Sequence, residues 1–133
     1  MEEKNITASL VSEEDRMDFL PRHCGRHMLT FEDSIYAFAR VLCPEYDGGY
    51  WNFWELDNGG FFMSPRGDEP LLLRCSGNYY EGRMSPQAAG IVITLFALNS
   101  ICEKDELFIE AYYRLKDFAC EHAEASEILA AID

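Results

Sequence analysis

The sequence predicts an α+β fold: an antiparallel sheet of about four strands built from two hairpins, with helices before and after it. Three observations predict it. The run GGYWNFWELDNGGFFMSP (48–65) sets two aromatic segments on either side of Asn58-Gly59, a dipeptide suited to a tight hairpin turn. A second pair of segments, Leu71 to Cys75 and Tyr80 to Met84, flanks Gly77-Asn78 in the same way. On both sides of this block apolar residues recur at helical spacing.

Taken in order, residues 1–11 show no clear period and read as a loose N-terminal tail, with a short extended piece at Thr7 to Val11. Ser12 followed by Asp15 resembles a helix cap, which predicts a short helix to about Phe19 that stops before Pro21. Thr30 with Asp33 reads as a second cap. It opens a helix carrying Ile35, Phe38, Ala39 and Leu42 on one face and ending near Cys43, because Pro44 follows.

With Asn58 and Gly59 as a two-residue turn, Leu56 faces Phe61, Glu55 faces Phe62 and Trp54 faces Met63. That register puts Trp54, Leu56, Phe61 and Met63 on one face, the core face, and Trp51, Phe53, Glu55, Phe62 and Ser64 on the other. The second face is to be covered by a helix or by another chain. Three of the nine phenylalanines and both tryptophans lie in this hairpin, which makes it the expected centre of the core. In the second hairpin Arg74 falls opposite Glu81, Cys75 opposite Tyr80 and Leu71 opposite Met84, so Leu71, Leu73, Cys75, Tyr80 and Met84 share an apolar face.

Ser85-Pro86 is a cap followed by proline at the first helical position, and starts a helix to about Cys102. Because AAGIVITLFALNSIC is apolar nearly all round, this helix is expected to be buried, with Ala88, Ala89 and Gly90 admitting another backbone. Glu103 to Asp105 form a polar joint. A helix from Glu106 to Cys120 and a short one around Glu124 to Ala131 complete the chain.

Length and composition fit one domain over residues 1–133, since 48% hydrophobic and 14% aromatic residues supply ample core. The 24 acidic and 11 basic residues give a formal charge of -13, which argues against direct nucleic-acid or anionic-membrane binding and favours a basic protein surface as partner. Five cysteines without a CxxC pair read as reduced thiols in the cytoplasm. The first residues carry no secretion-signal pattern, and the longest apolar run, Ala88 to Leu98, is too short to span a bilayer.

Candidate chemistry is sparse. His23, Cys24 and His27 form an HCxxH string that suggests a metal site or a nucleophile with its base. A structural zinc site needs four ligands, however, and the other histidine, His122, is distant in sequence. A half-buried thiol is the plainer account of Cys24. Arg22, His23, Arg26 and His27 make the one local basic cluster, suited to a phosphate or an acidic partner, or simply to pairing with Asp15, Asp18 or Glu32. Glu55 and Asp57, two apart on one strand face, could act as paired carboxylates or as ordinary solvated acids. Arg22, His23, Arg26, Glu55 and Asp57 are therefore the candidate partner-binding residues; no catalytic, cofactor or metal ligand is assigned. From Glu103 to Asp133 nine acids and three bases give a net of -6, a solvated or partner-binding face.

GGYWNFWELDNGGFFMSP, preceded by RMDFLPRHCGRHM (16–28) and followed by SGNYYEG (76–82) and AAGIVITLFAL (88–98), resembles the ArdB/KlcA antirestriction family through most of the chain and in the same order. The resemblance implies a protein, typically carried by mobile genetic elements, that relieves type I restriction-modification of incoming unmodified DNA. It implies no catalytic residues, so the chain is expected to be a non-enzymatic inhibitor acting directly or indirectly on the restriction complex or an associated protein. Two alternatives remain: a DNA mimic competing for a DNA-binding protein, and a cysteine-dependent hydrolase using Cys24 and a histidine. The chain departs from the family pattern at Trp54 and Asp57, where tyrosine and serine are expected, and at Tyr79, where glycine is common.

Overall fold

The structure, a computed structural model, describes residues 5–133. Its elements run β1 (Ala8–Leu10), α1 (Arg16–Cys24), α2 (Met28–Leu42), β2 (Trp51–Leu56), β3 (Phe61–Pro65), β4 (Leu71–Cys75), β5 (Tyr80–Met84), α3 (Pro86–Ser100), α4 (Glu106–Glu121) and α5 (Ala125–Ile132), an α+β arrangement. The strands lie in two antiparallel sheets, β1-β2-β3 and β4-β5, rather than in one sheet of four.

The reason for the division is α3. It runs along the free edge of β3, where the Thr94 hydroxyl donates to the Met63 carbonyl and accepts from the Met63 N–H, both at 3.2 Å. The edge groups that another strand would have paired are thus satisfied by a buried side chain. Gly90 makes the approach possible: a Cβ there would stand 2.4 Å from the Met63 oxygen and from Ser64 Cβ. Ser85 caps the helix by accepting from the Ala88 N–H, with Pro86 at its first position, as its sequence predicts.

The first hairpin differs from its expected register by one residue. Glu55 faces Phe61, Trp54 faces Phe62 and Phe53 faces Met63. The turn has three residues, not two: Leu56 accepts from the Gly59 N–H and donates to the Gly60 carbonyl, and Gly59 takes the left-handed conformation with φ 93°. Asn58 is held by its side chain, which accepts from the Gly60 N–H and donates to the Arg114 carbonyl on α4. The slip regroups the faces. Trp51, Phe53, Glu55, Phe61 and Met63 now share one side, and Trp54, Phe62 and Ser64 the other.

Helices of the same chain cover both sides. On the first, Phe19 of α1 stacks on Phe53 at 4.5 Å and Phe31 of α2 meets Phe61 edge-on at 5.6 Å. On the second, Trp54 stacks on Phe62, and Phe62 in turn on Phe118 of α4. The second hairpin has the expected register, with Arg74 bonded to Glu81 at 2.9 Å, but its connection is a turn of 3₁₀ helix over Ser76–Asn78 plus Tyr79. Tyr79 sits in the left-handed region at φ 55°, a conformation that costs glycine little, and is 97% exposed.

Three boundaries also shift. Ala8–Leu10, within the extended piece expected at Thr7 to Val11, is an ordered edge strand on β2 rather than part of a loose tail, fastened by the Thr7 N–H to Asp57 and the Ile6 N–H to Glu121; residues 1–4 lie outside the described residues. α1 continues through Pro21 to Cys24, because the proline's missing N–H forgoes one bond to the first turn while buried Phe19 and Cys24 hold the helix on the core. Ser12 makes no cap bond, and Thr30 lies inside α2, whose start at Met28 follows directly from the bend at Gly25.

Thr94→Val would leave two buried backbone groups without partners, and is expected to cost roughly 1–3 kcal/mol. Gly90→Ala is expected to cost about as much by overpacking, despite alanine's better helix propensity. Denaturant midpoints at constant m-value check both; an unchanged midpoint for either would mean that α3 does not depend on this contact.

Candidate functional site

Of the five candidate residues, three come together. α1 lies across the β1-β2-β3 sheet with Phe19 on Phe53, which carries Arg22 and His23 to Glu55 on β2. Arg22 Nη2 donates to Glu55 Oε2, and His23 Nε2 contacts the same oxygen at 2.6 Å. The His23 ring is stacked on Phe61 at 4.4 Å and meets the edge of Phe19 at 4.9 Å, so its orientation is set by aromatic packing.

Burial is the largest influence on His23 and holds its pKa below the ordinary 6.5, although Glu55 pulls the other way. At neutral pH the ring is therefore uncharged and its Nε2–H donates to Glu55. Burial by itself would raise the Glu55 carboxyl, but the combined hydrogen bonds and charge from His23 and Arg22 hold it below the ordinary 4.5. The unit is a carboxylate clamped by one permanent cation and one neutral donor.

Arg26 and Asp57 stand apart from it. Arg26 Nε donates to His27 at 3.3 Å, and His27 faces Asp105 at 3.6 Å, next to the Asp105 oxygen that caps α4. Asp57 accepts from the Thr7 N–H at 2.9 Å in the hairpin turn, so it fastens β1 and forms no pair with Glu55. The two histidines of HCxxH consequently have different carboxylate partners, Glu55 and Asp105.

Cys24 lies wholly inside the core, and burial pushes its thiol up to about 12. His23 beside it is turned toward Glu55. This environment removes the thiolate on which the hydrolase reading depends. Cys43 and Cys75 are buried too, with raised pKa values, while Cys120 is exposed.

One arrangement near this site went unread in the sequence. Tyr50 lies between two guanidinium groups, Arg16 at 4.6 Å and Arg66 at 4.3 Å, and Arg16 also covers Phe53 at 4.3 Å. Residues 16, 50 and 66 have no spacing that relates them; only the hairpin and α1 together bring them into contact.

The family model described as antirestriction protein matches residues 44–133. An Escherichia coli protein described as antirestriction protein KlcA is 43% identical, over 96% of this chain and 94% of its own; a second KlcA from Escherichia coli is 41% identical, over 99% and 98%. YubI of Escherichia coli strain K12, described as a putative antirestriction protein, is 34% identical over 92% of this chain and 93% of its own. A solved structure superposes with a TM-score of 0.91 at 43% identity, covering 100% of this chain and 99% of the other. It comes from work describing KlcA and ArdB as a novel fold with antirestriction activity against type I DNA restriction systems in vivo but not in vitro. The chain belongs to the antirestriction protein family, in agreement with the resemblance seen in its motifs.

Because His23 is held below 6.5, the unfolded chain binds its proton first as pH falls, so stability is expected to decline from about pH 6.5 downward. Glu55, held below 4.5, adds a further loss under 4.5 as the native carboxylate is forced to protonate. His122, lowered by burial, acts in the same direction as His23. His23→Gln should flatten the upper part of that slope and leave the lower part in place, as read from denaturant midpoints across pH. An unaltered slope would place the proton uptake elsewhere. Thiol labelling at neutral pH should modify Cys120 in the native protein and reach Cys24 only on unfolding; rapid native labelling of Cys24 would contradict its burial.

Proposed function

We propose that this protein relieves restriction of incoming unmodified DNA by type I systems, and that it does so without enzymatic chemistry, through contact with the restriction complex or with a protein associated with it. The observation that carries the reading is the whole-chain match to a structure whose proteins act against type I systems in vivo but not in vitro. An effect of that kind is the expected behaviour of an inhibitor that needs a further cellular component. The buried thiol of Cys24, its pKa pushed up to about 12, supports the non-enzymatic part.

The charge of -13 also suits a protein target better than a nucleic-acid one. DNA mimicry is the less favoured route. A mimic presents regularly spaced carboxylates on an elongated body, whereas 133 residues with 14% aromatic content favour a compact one. Arg22 and His23, joined through Glu55, are the part of the predicted contact surface that works as one unit; Arg26 and Asp57 would contribute separately. Among the described residues no helix is long and apolar enough to cross a membrane, which accords with action in the cytoplasm, where restriction enzymes meet DNA.

Plating of unmodified phage on cells with an active type I system, with and without this protein, tests the proposal. Restored plating with DNA modification intact is the expected result. Unchanged plating by a folded, abundant protein would overturn it.

A further inference from the structure

We propose that the groove between α1 and α2 is a docking site for a basic amphipathic helix of a protein partner. The inference rests on reading the chain as an interaction protein and names the surface and the chemistry that such a role would use.

The groove has a volume of about 340 Å³; its lining is apolar at Met17, Leu20, Pro21, Met28, Leu29 and Phe53 and carries one cation, Arg16, and one carboxylate, Glu32. Its walls are unusually open for apolar side chains, with Met17 88% and Leu29 64% exposed on facing helices. Phe53 closes the floor, its ring held between the Phe19 ring at 4.5 Å and the Arg16 guanidinium at 4.3 Å. Two methionines in one groove give a lining that adapts to the side chains it receives, and a trough between helices fits the apolar stripe of a further helix.

The rim supplies the charge. Glu13 and Glu14 lie in the 3₁₀ turn that runs straight into α1, four and three residues before Met17. Glu32 and Asp33 lie three and four residues after Leu29 on α2, the spacing that puts side chains on one helical face. Among the described residues Glu14 and Asp33 form no ion pair, and Glu13 has only long contacts, 3.9 Å to Arg16 and 3.5 Å to Arg66. The nearby cations are already engaged: Arg16 lies over Tyr50 and Phe53, and Arg22 is bound to Glu55.

A methionine-containing apolar trough with free carboxylates on both banks is complementary to a helix with leucine-like anchors flanked by lysine or arginine. A second copy of this chain is a poor occupant, since two bodies of charge -13 repel each other.

The probe is a labelled synthetic helix of roughly 18 residues, about five turns, with leucines at i, i+3, i+4 and i+7 and lysines beside them. A twin carries glutamate at each lysine position. Fluorescence anisotropy is measured on the full-length protein at physiological ionic strength.

The lysine helix is expected to bind and the glutamate twin to fail. Met17→Ser with Leu29→Ser, which leaves the charge unchanged, should weaken binding at least tenfold. Glu14→Lys with Asp33→Lys should weaken it several-fold and reduce its salt dependence. Equal binding by the serine variant would show attraction to diffuse negative charge and overturn the proposal. So would binding of both helices alike, absence of binding by the wild type, or a dimer of the protein alone that the serine substitutions dissolve.

Phage plating separates this inference from the functional one. If the wild type relieves restriction and the equally abundant serine variant does so as well, the groove is not the working surface, though the function stands. If the wild type gives no relief, the functional reading fails and peptide binding alone decides the groove.

Discussion

The packing of α3 against the open edge of β3 is the constraint from which the rest of the arrangement follows. Thr94 uses one hydroxyl to serve both backbone groups of Met63, and Gly90 lets the helix come within contact of the strand. A side chain in place of that hydrogen, or a residue without the hydroxyl, would separate the two elements or leave polar groups buried and unpaired. With the edge closed by a helix, β4 and β5 form their own sheet. They are held at the other end of the molecule by α5, through Asn78 to the Ala131 carbonyl and Tyr80 to Glu127.

Closing one edge also determines what lies on each face. α1 and α2 cover the side bearing Phe53 and Phe61, and α4 covers the side bearing Phe62. The basic residues of α1 are thereby delivered to the sheet, where Glu55 receives Arg22 and His23. In a chain with more than twice as many acids as bases, such local pairing engages cations that would otherwise offset the surface charge. What remains outward is carboxylate without an ion pair among the described residues, on α1 and α2 and along residues 103–133.

Most of the helices and both hairpins were legible because their signals are local. Ser85-Pro86 caps α3, the Ile35, Ala39 and Leu42 spacing marks α2, and the pairing of Arg74 with Glu81 sets the second hairpin. The site was legible only in part. Neighbouring Arg22 and His23 could be singled out as a basic cluster, yet nothing in the sequence indicated that both would converge on Glu55 while Asp57 turned away to hold β1. The turn from Leu20 to Cys24 was obscured by ending the first helix ahead of Pro21, when tertiary packing of Phe19 and Cys24 carries it onward.

By itself, then, the sequence determined the α+β class, the order of its elements, the buried character of α3 and the antirestriction family, because each rests on residue spacing or on motifs that survive as strings. The tertiary structure decided the rest. The one-residue shift of the first hairpin depends on Asn58 reaching the Arg114 carbonyl, a partner 56 positions away. The separation into two sheets depends on Thr94 meeting Met63, and the fate of each candidate side chain on which helix crosses above it. Contacts of that kind have no period and no local signature; they exist only once distant segments share a surface.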